Sequence, residues 1–167
     1  MKSVLALGTN IGDTMENLRH ALDSLNHLPG TRVERVSSFY VTKPWGYANQ
    51  DNFLNICAEL ETTLSPKALL GASLGIEAAM GRERPFKNSP RIIDIDIIFY
   101  EDVITDDEEL TLPHPRFRER AFVLCPMGEL FDDKAFKSIS FRDAFEKCDK
   151  TEILEIIPFK QETPGAV

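Results

Sequence analysis

The chain has 167 residues, 43% hydrophobic and 28% charged, which is the composition of one ordinary globular domain and excludes wholesale disorder. A net charge of -8 argues against a nucleic-acid or anionic-membrane surface spread over the whole molecule, while leaving room for a local basic patch. No apolar run approaches the ~18 residues of a membrane span, and Val4-Leu5-Ala6-Leu7 is too short for a signal-peptide core.

Residues 2–9 read as a buried first strand closed by Gly8. A helix follows from Asp13, with Glu16 completing a capping-box-like pair and Met15, Leu18, Leu22 and Leu25 forming one apolar stripe. Pro29-Gly30 ends it. Residues 31–42 form a β-branched and aromatic strand, and 43–52 a loop carrying Trp45 and Tyr47. Residues 53–62 alternate: Leu54, Ile56, Ala58 and Leu60 share one face, and Phe53, Asn55, Cys57, Glu59 and Glu61 the other. Ser65-Pro66 starts a second helix, apolar nearly all round to about Met80 and therefore expected to be well buried. Residues 92–100 form the most regular strand, with Ile93, Ile95, Ile97 and Phe99 on one face and Asp94, Asp96, Ile98 and Tyr100 on the other. A hairpin with an acidic tip is expected over 101–112, short helices over 118–124 and 141–145, and a last strand over 153–157. The order β-α-β-β-α-β predicts an α+β, ferredoxin-like antiparallel sheet with additional C-terminal elements, one domain over 1–160 and a frayed tail over 161–167. Cys57, Cys125 and Cys148 fit neither a disulfide framework nor a CxxC site, and read as buried thiols of a cytoplasmic protein.

The chemistry concentrates in two segments. Alternate residues of a strand face the same way, so Asp94 and Asp96 project together ~6.6 Å apart at the Cα level. Two carboxylates at that distance repel by roughly 2–3 kcal/mol at an effective dielectric near 20. A hard divalent cation such as Mg²⁺ would relieve that repulsion and take its other ligands from water and phosphate; two solvated aspartates are the alternative. The preceding loop carries Arg82, Arg84, Lys87 and Arg91 against Glu83 alone, and guanidinium groups fork onto phosphate oxygens. Loop and strand together point to phosphate-ester chemistry. Phe53 and Asn55 share a strand face where a ring can stack on a flat heterocycle and an amide can read its edge. Gly8-Thr9-Asn10-Ile11-Gly12 lacks the spacing of a P-loop and reads as a turn.

Ala6-Leu7-Gly8-Thr9-Asn10, Ser37-Ser38-Phe39-Tyr40, Phe53-Leu54-Asn55, Gly81-Arg82-Glu83-Arg84, Pro90-Arg91-Ile92-Ile93-Asp94-Ile95-Asp96 and Leu112-Pro113-His114-Pro115 occur in that order. With these motifs the chain resembles the 6-hydroxymethyl-7,8-dihydropterin pyrophosphokinases of folate biosynthesis, over about residues 2–130. The resemblance implies transfer of pyrophosphate from ATP to the pterin's hydroxymethyl group, in a single domain acting as a monomer. It implies that Asp94 and Asp96 hold two Mg²⁺ ions and that Arg82 and Arg91 act beside them at the reacting phosphates. On the ATP side it places Glu77, Arg84, Arg91, Ile97, Thr111, His114 and Arg120, and on the pterin side Thr42, Lys43, Trp45, Phe53, Asn55 and Phe122. Loops 43–52 and 82–91 would close over both substrates. The chain departs from the family pattern at Lys87-Asn88-Ser89, where Arg-Trp-Gly is common, and at Phe53, where a tyrosine is common. The residues by themselves also leave open a DxD nucleotidyltransferase or phosphohydrolase, which needs a third carboxylate, and a non-catalytic ligand-sensing module.

Overall fold

The computed structural model describes residues 1–160; the tail expected over 161–167 lies outside them. The first half runs β1 (Lys2–Thr9), α1 (Thr14–Asn26), β2 (Thr31–Val36), β3 (Phe39–Thr42), β4 (Phe53–Thr62), α2 (Pro66–Ala79) and β5 (Asp94–Tyr100). A small hairpin, β6 (Thr105–Asp106) and β7 (Thr111–Leu112), precedes α3 (Ala121–Leu130). Then come a second hairpin, β8 (Ala135–Phe136) and β9 (Ile139–Ser140), α4 (Arg142–Lys147) and β10 (Ile153–Ile157). The main sheet is antiparallel in the order β10-β3-β4-β1-β5, with β2 pairing the far half of β4. Among the described residues no helix is long and apolar enough to cross a membrane.

Both long helices start where their capping residues put them. The Asp13 carboxylate accepts from the Glu16 amide at 3.1 Å, and the Ser65 hydroxyl from the Ala68 amide at 3.3 Å ahead of Pro66. Leu18, Leu22 and Leu25 of α1 pack with Leu69 and Ile76 of α2 against Leu5, Leu7, Ile56 and Leu60. On the other face of the sheet, Val123, Leu124 and Met127 of α3 meet Val4, Cys57, Ile98 and Phe99. The central strands are therefore covered on both sides.

Four expectations need correction. Residues 31–42 are not one strand: Ser37 interrupts it, and its hydroxyl takes the Cys57 amide at 3.0 Å, so the ladder on β4 passes from β2 to β3. The second helix is not buried all round; only Leu69, Ser73, Ile76 and Glu77 are, and Leu74 is 52% exposed. The face assignment of β5 fails after Ile97. Leu5 pairs with Ile97 and Val4 with Phe99, which leaves Ile98 as a bulge and turns Phe99 to the α3 side and Tyr100 to the α1/α2 side. The helix expected over 118–124 becomes a 3₁₀ turn over Phe117–Glu119 and then α3, which runs on through Pro126 to Leu130. Burial of Val123, Leu124 and Met127 outweighs the one hydrogen bond that Pro126 removes.

Candidate active site

The sheet register sets two rows of side chains on the α3 face. Gly8 lies between Asn55 and Asp94, and Ala6 between Cys57 and Asp96. The amide of Asn55 needs the space that Gly8 leaves: a Cβ on Gly8 would stand 2.5 Å from Asn55 Oδ1. Asn55 Nδ2 donates to Thr42 Oγ1 at 2.8 Å, which leaves Oδ1 as the free acceptor. Phe53, Asn55, Thr42, Lys43, Trp45 and Phe122 line one side of a cleft, and Arg91, Asp94, Asp96 and Arg120 the other. The cleft encloses about 610 Å³ with its open mouth included.

Asp94 gathers the basic loop. Its Oδ1 accepts from Arg82 Nη2 at 2.7 Å and from Arg84 Nη2 at 3.4 Å, and its Oδ2 accepts from Arg91 Nη1. Arg82 also donates to Glu77, whose other oxygen accepts from the Ile95 amide at 2.6 Å. Arg82 and Glu77 are buried, with side chains 7% and 4% exposed, whereas the Arg84 side chain is 58% exposed. Burial pushes the Glu77 carboxyl up, and the Ile95 amide and Arg82 oppose that shift.

Asp96 is held more loosely, 3.7 Å from Arg120 Nη1 and 3.9 Å from His114 Nε2. Burial, and then the charge of Asp94, push its carboxyl up to about 7. His114 is lowered to about 4, by burial first and then by Arg120. Its Nδ1 accepts from the Arg116 amide at 3.1 Å, so the neutral ring turns an Nε2–H toward Asp96. Two carboxylates sharing one face with too little cation at Asp96 suit a divalent ion of hard-oxygen preference. No group of three or more His, Cys, Asp or Glu among the described residues could hold a metal, so the remaining ligands would have to be water or substrate oxygens.

The flanking loops meet across the cleft at residues that sequence reasoning passed over. Buried Asn10 accepts from the Arg91 amide at 2.8 Å and donates to Gln50 Oε1 at 2.9 Å and to the Asp51 carbonyl at 3.0 Å. Gln50 Nε2 donates to the carbonyls of Tyr47 and Asn88 at 2.7 and 3.0 Å, and the Tyr47 and Phe86 rings meet edge-on at 5.1 Å. Glu129 was also missed. It accepts from the Tyr40 hydroxyl at 2.7 Å and from the Ser38 amide at 2.9 Å, tying α3 and its Phe122 to β3. No local pattern marks these residues, because each works through a contact across some 40 to 90 positions of chain.

Two expected site residues stand apart. The Ile97 side chain packs in the α1/α2 core, so only its main chain remains available to a ligand. Thr111 donates to Asp106 and the Asp107 carbonyl, at 3.4 and 3.5 Å, and does not line the cleft. The other expected residues converge on the cleft or on the carboxylates beside it.

The chain is similar to known proteins. The family described as 7,8-dihydro-6-hydroxymethylpterin-pyrophosphokinase (HPPK) matches residues 4–132. The 2-amino-4-hydroxy-6-hydroxymethyldihydropteridine pyrophosphokinase of Methylorubrum extorquens is 44% identical over 152 residues, covering 91% of this chain and 96% of that protein. The protein of the same name in Bacillus subtilis is 42% identical over 126 residues, 75% of each chain. The crystal structure of Plasmodium falciparum HPPK-DHPS with pteroate superposes with a TM-score of 0.64 at 15% identity, over 87% of this chain. This chain spans only 42% of that longer one, and the likeness carries the fold alone. With the profile matched from β1 into α3 and relatives above 40% identity, the chain belongs to the 7,8-dihydro-6-hydroxymethylpterin-pyrophosphokinase family.

Proposed function

We propose that the cleft transfers the β,γ-pyrophosphoryl group of ATP to the hydroxymethyl oxygen of 6-hydroxymethyl-7,8-dihydropterin and releases AMP, a step of folate biosynthesis. The observation that carries this reading is the pair of adjacent rows on one sheet face: an acceptor amide beside aromatic rings, and next to it two carboxylates ringed by guanidinium groups. A flat heterocycle and a polyphosphate can thereby be held side by side.

Phe53 and Phe122 would sandwich the pterin, while Asn55 Oδ1 and the main chain over 42–45 read its polar edge. Asp94 and Asp96 would hold two Mg²⁺ ions, which when bound neutralise phosphate charge and acidify the attacking hydroxyl. Arg82 is locked between Glu77 and Asp94, so its role is to fix the Asp94 carboxylate. Arg84, exposed and at 3.4 Å, is free to swing onto a phosphate oxygen. Arg91, Arg120 and the His114 Nε2–H would bind the chain of phosphates as the pterin oxygen attacks the β-phosphorus and the bond to AMP breaks. Glu77 acts from below, through Arg82 and the Ile95 amide. Loops 43–52 and 82–91, already joined at Gln50 and Asn88, exclude water that would otherwise hydrolyse ATP. We read the enzyme as a monomeric, cytoplasmic ferredoxin-like domain over 1–160, acting on small molecules and on neither nucleic acid nor membrane.

The test is purified protein with ATP, Mg²⁺ and the pterin, scoring AMP against ADP by chromatography, alongside Asp94→Ala and Asp96→Ala. Pterin-dependent AMP that collapses in both variants is expected. ADP, or product formed without pterin, would overturn the reading.

A further inference from the structure

Arg116 does not line the cleft, yet its guanidinium carbon lies 4.4 Å over the ring of Trp45, which does. The turn that carries Arg116 is fixed to β5: the His114 amide donates to the Ile98 carbonyl at 2.9 Å, and the Arg116 amide donates to His114 Nδ1 at 3.1 Å. Glu119 lies 3.6 Å from Arg116 Nε and steadies the guanidinium. Four residues on, Arg120 reaches the same indole at 5.6 Å and the Phe122 ring at 5.5 Å. Two cations of one turn thus reach Trp45, near the start of a loop whose far end is held by Asn10 and Gln50.

We infer that Arg116 is a positioning residue for the pterin: by stacking on Trp45 it holds the indole as a wall of the cleft. The inference deepens the pyrophosphokinase reading and rests on it for the identity of the ligand. A cation over an indole face is held by the ring quadrupole, and the contact does not depend on ATP. Loss of Arg116 therefore loosens the pterin side and leaves the phosphate side intact.

Trp45 is the chain's single tryptophan, so all tryptophan emission reports on this one indole. The Arg116 side chain is 44% exposed, so Arg116→Ala is not expected to disturb folding. At an exposed cation–π site the expected effect is an increase of about two- to fivefold in KM for the pterin, with kcat and KM for ATP unchanged. In the substrate-free enzyme, Trp45 emission shifts to the red and becomes more accessible to acrylamide. Arg116→Lys recovers part of both effects. In a Trp45→Leu background, adding Arg116→Ala changes nothing further. Unchanged emission together with unchanged pterin KM, a loss shared equally with kcat, or a full effect in the Trp45→Leu background would each overturn the inference. If the wild-type enzyme released no AMP, the activity reading would fail, while the emission of Arg116→Ala would still decide whether Arg116 holds Trp45.

Discussion

Gly8→Ala tests the geometry of the cleft with a single methyl group. That methyl would stand 2.5 Å from Asn55 Oδ1, while its distance to the Phe53 ring, 3.8 Å, is an ordinary contact. Relief requires the Asn55 head to move by about 1 Å away from β1, which drives its amide into Thr42 on β3 and spoils the 2.8 Å bond there. The lost bond costs about 1 kcal/mol and the residual crowding about 1 kcal/mol more. For a chain of this size, about 2 kcal/mol lowers Tm by roughly 4–8 °C. The functional effect is larger, because a positioning group displaced by about 1 Å can lose up to 100-fold in rate. Steady-state kinetics with each substrate varied in turn should show kcat/KM for the pterin falling about 10- to 100-fold and KM for ATP within about twofold. Thermal melts of Gly8→Ala in an Asn55→Ala background supply the control, since the clash partner is then gone and the penalty should vanish. Wild-type stability and pterin kinetics in the single variant, or an undiminished penalty in the double, would refute the packing argument.

Arg82→Ala leaves Glu77 a buried carboxylate without its partner, so denaturant melts should show a loss of about 3 kcal/mol, and adding Glu77→Gln should recover part of it. Gln50→Ala removes the bridge to Asn88 and Tyr47. Hydrogen exchange at the Ser89 and Arg91 amides should quicken about tenfold while β1 stays protected. The Glu101 carboxyl accepts from the Lys2 amide and lies 3.0 Å from Lys137 Nζ, and the amide bond, ahead of Lys137, lowers its pKa. A lowered folded-state pKa contributes stability above the ordinary carboxylate value, and that contribution is lost as pH falls through the folded value. Glu101→Gln should therefore be less stable than wild type by about 1 kcal/mol at neutral pH, and the gap should narrow below about pH 4. A gap independent of pH would show that its origin is not the charge.

What was legible in the chain followed from local rules. Asp13 and Ser65 announce their helices because a cap is a contact over three residues, and Asp94 and Asp96 announce a shared face because strand alternation is local. The bulge at Ile98 was not legible. Ile95, Ile97 and Phe99 fit an unbroken alternation, and only pairing with Val4 and Leu5 shows where it fails. The same holds for α2, whose composition says apolar while its neighbours decide which stripe is covered. The site was read further than local rules allow because its motifs resemble a family. Asn10, Gln50, Glu129 and Arg116 escaped, since an amide, a carboxylate or a guanidinium on a turn looks the same whether it faces solvent or another loop.

The pairing of β10 with β3 has a consequence for how the enzyme is made. Thr42 and Lys43, on the wall of the cleft, are backed by Ile153 and by the Glu152 carbonyl, about 110 residues later in the chain. At roughly 5–20 residues per second, a ribosome takes on the order of 5–20 s to deliver that support. Throughout the interval β3 is an open sheet edge, tolerable because it is only four residues long. The nascent chain thus carries Asp94 and Asp96 well before the cleft wall at Thr42 and Lys43 is braced by β10.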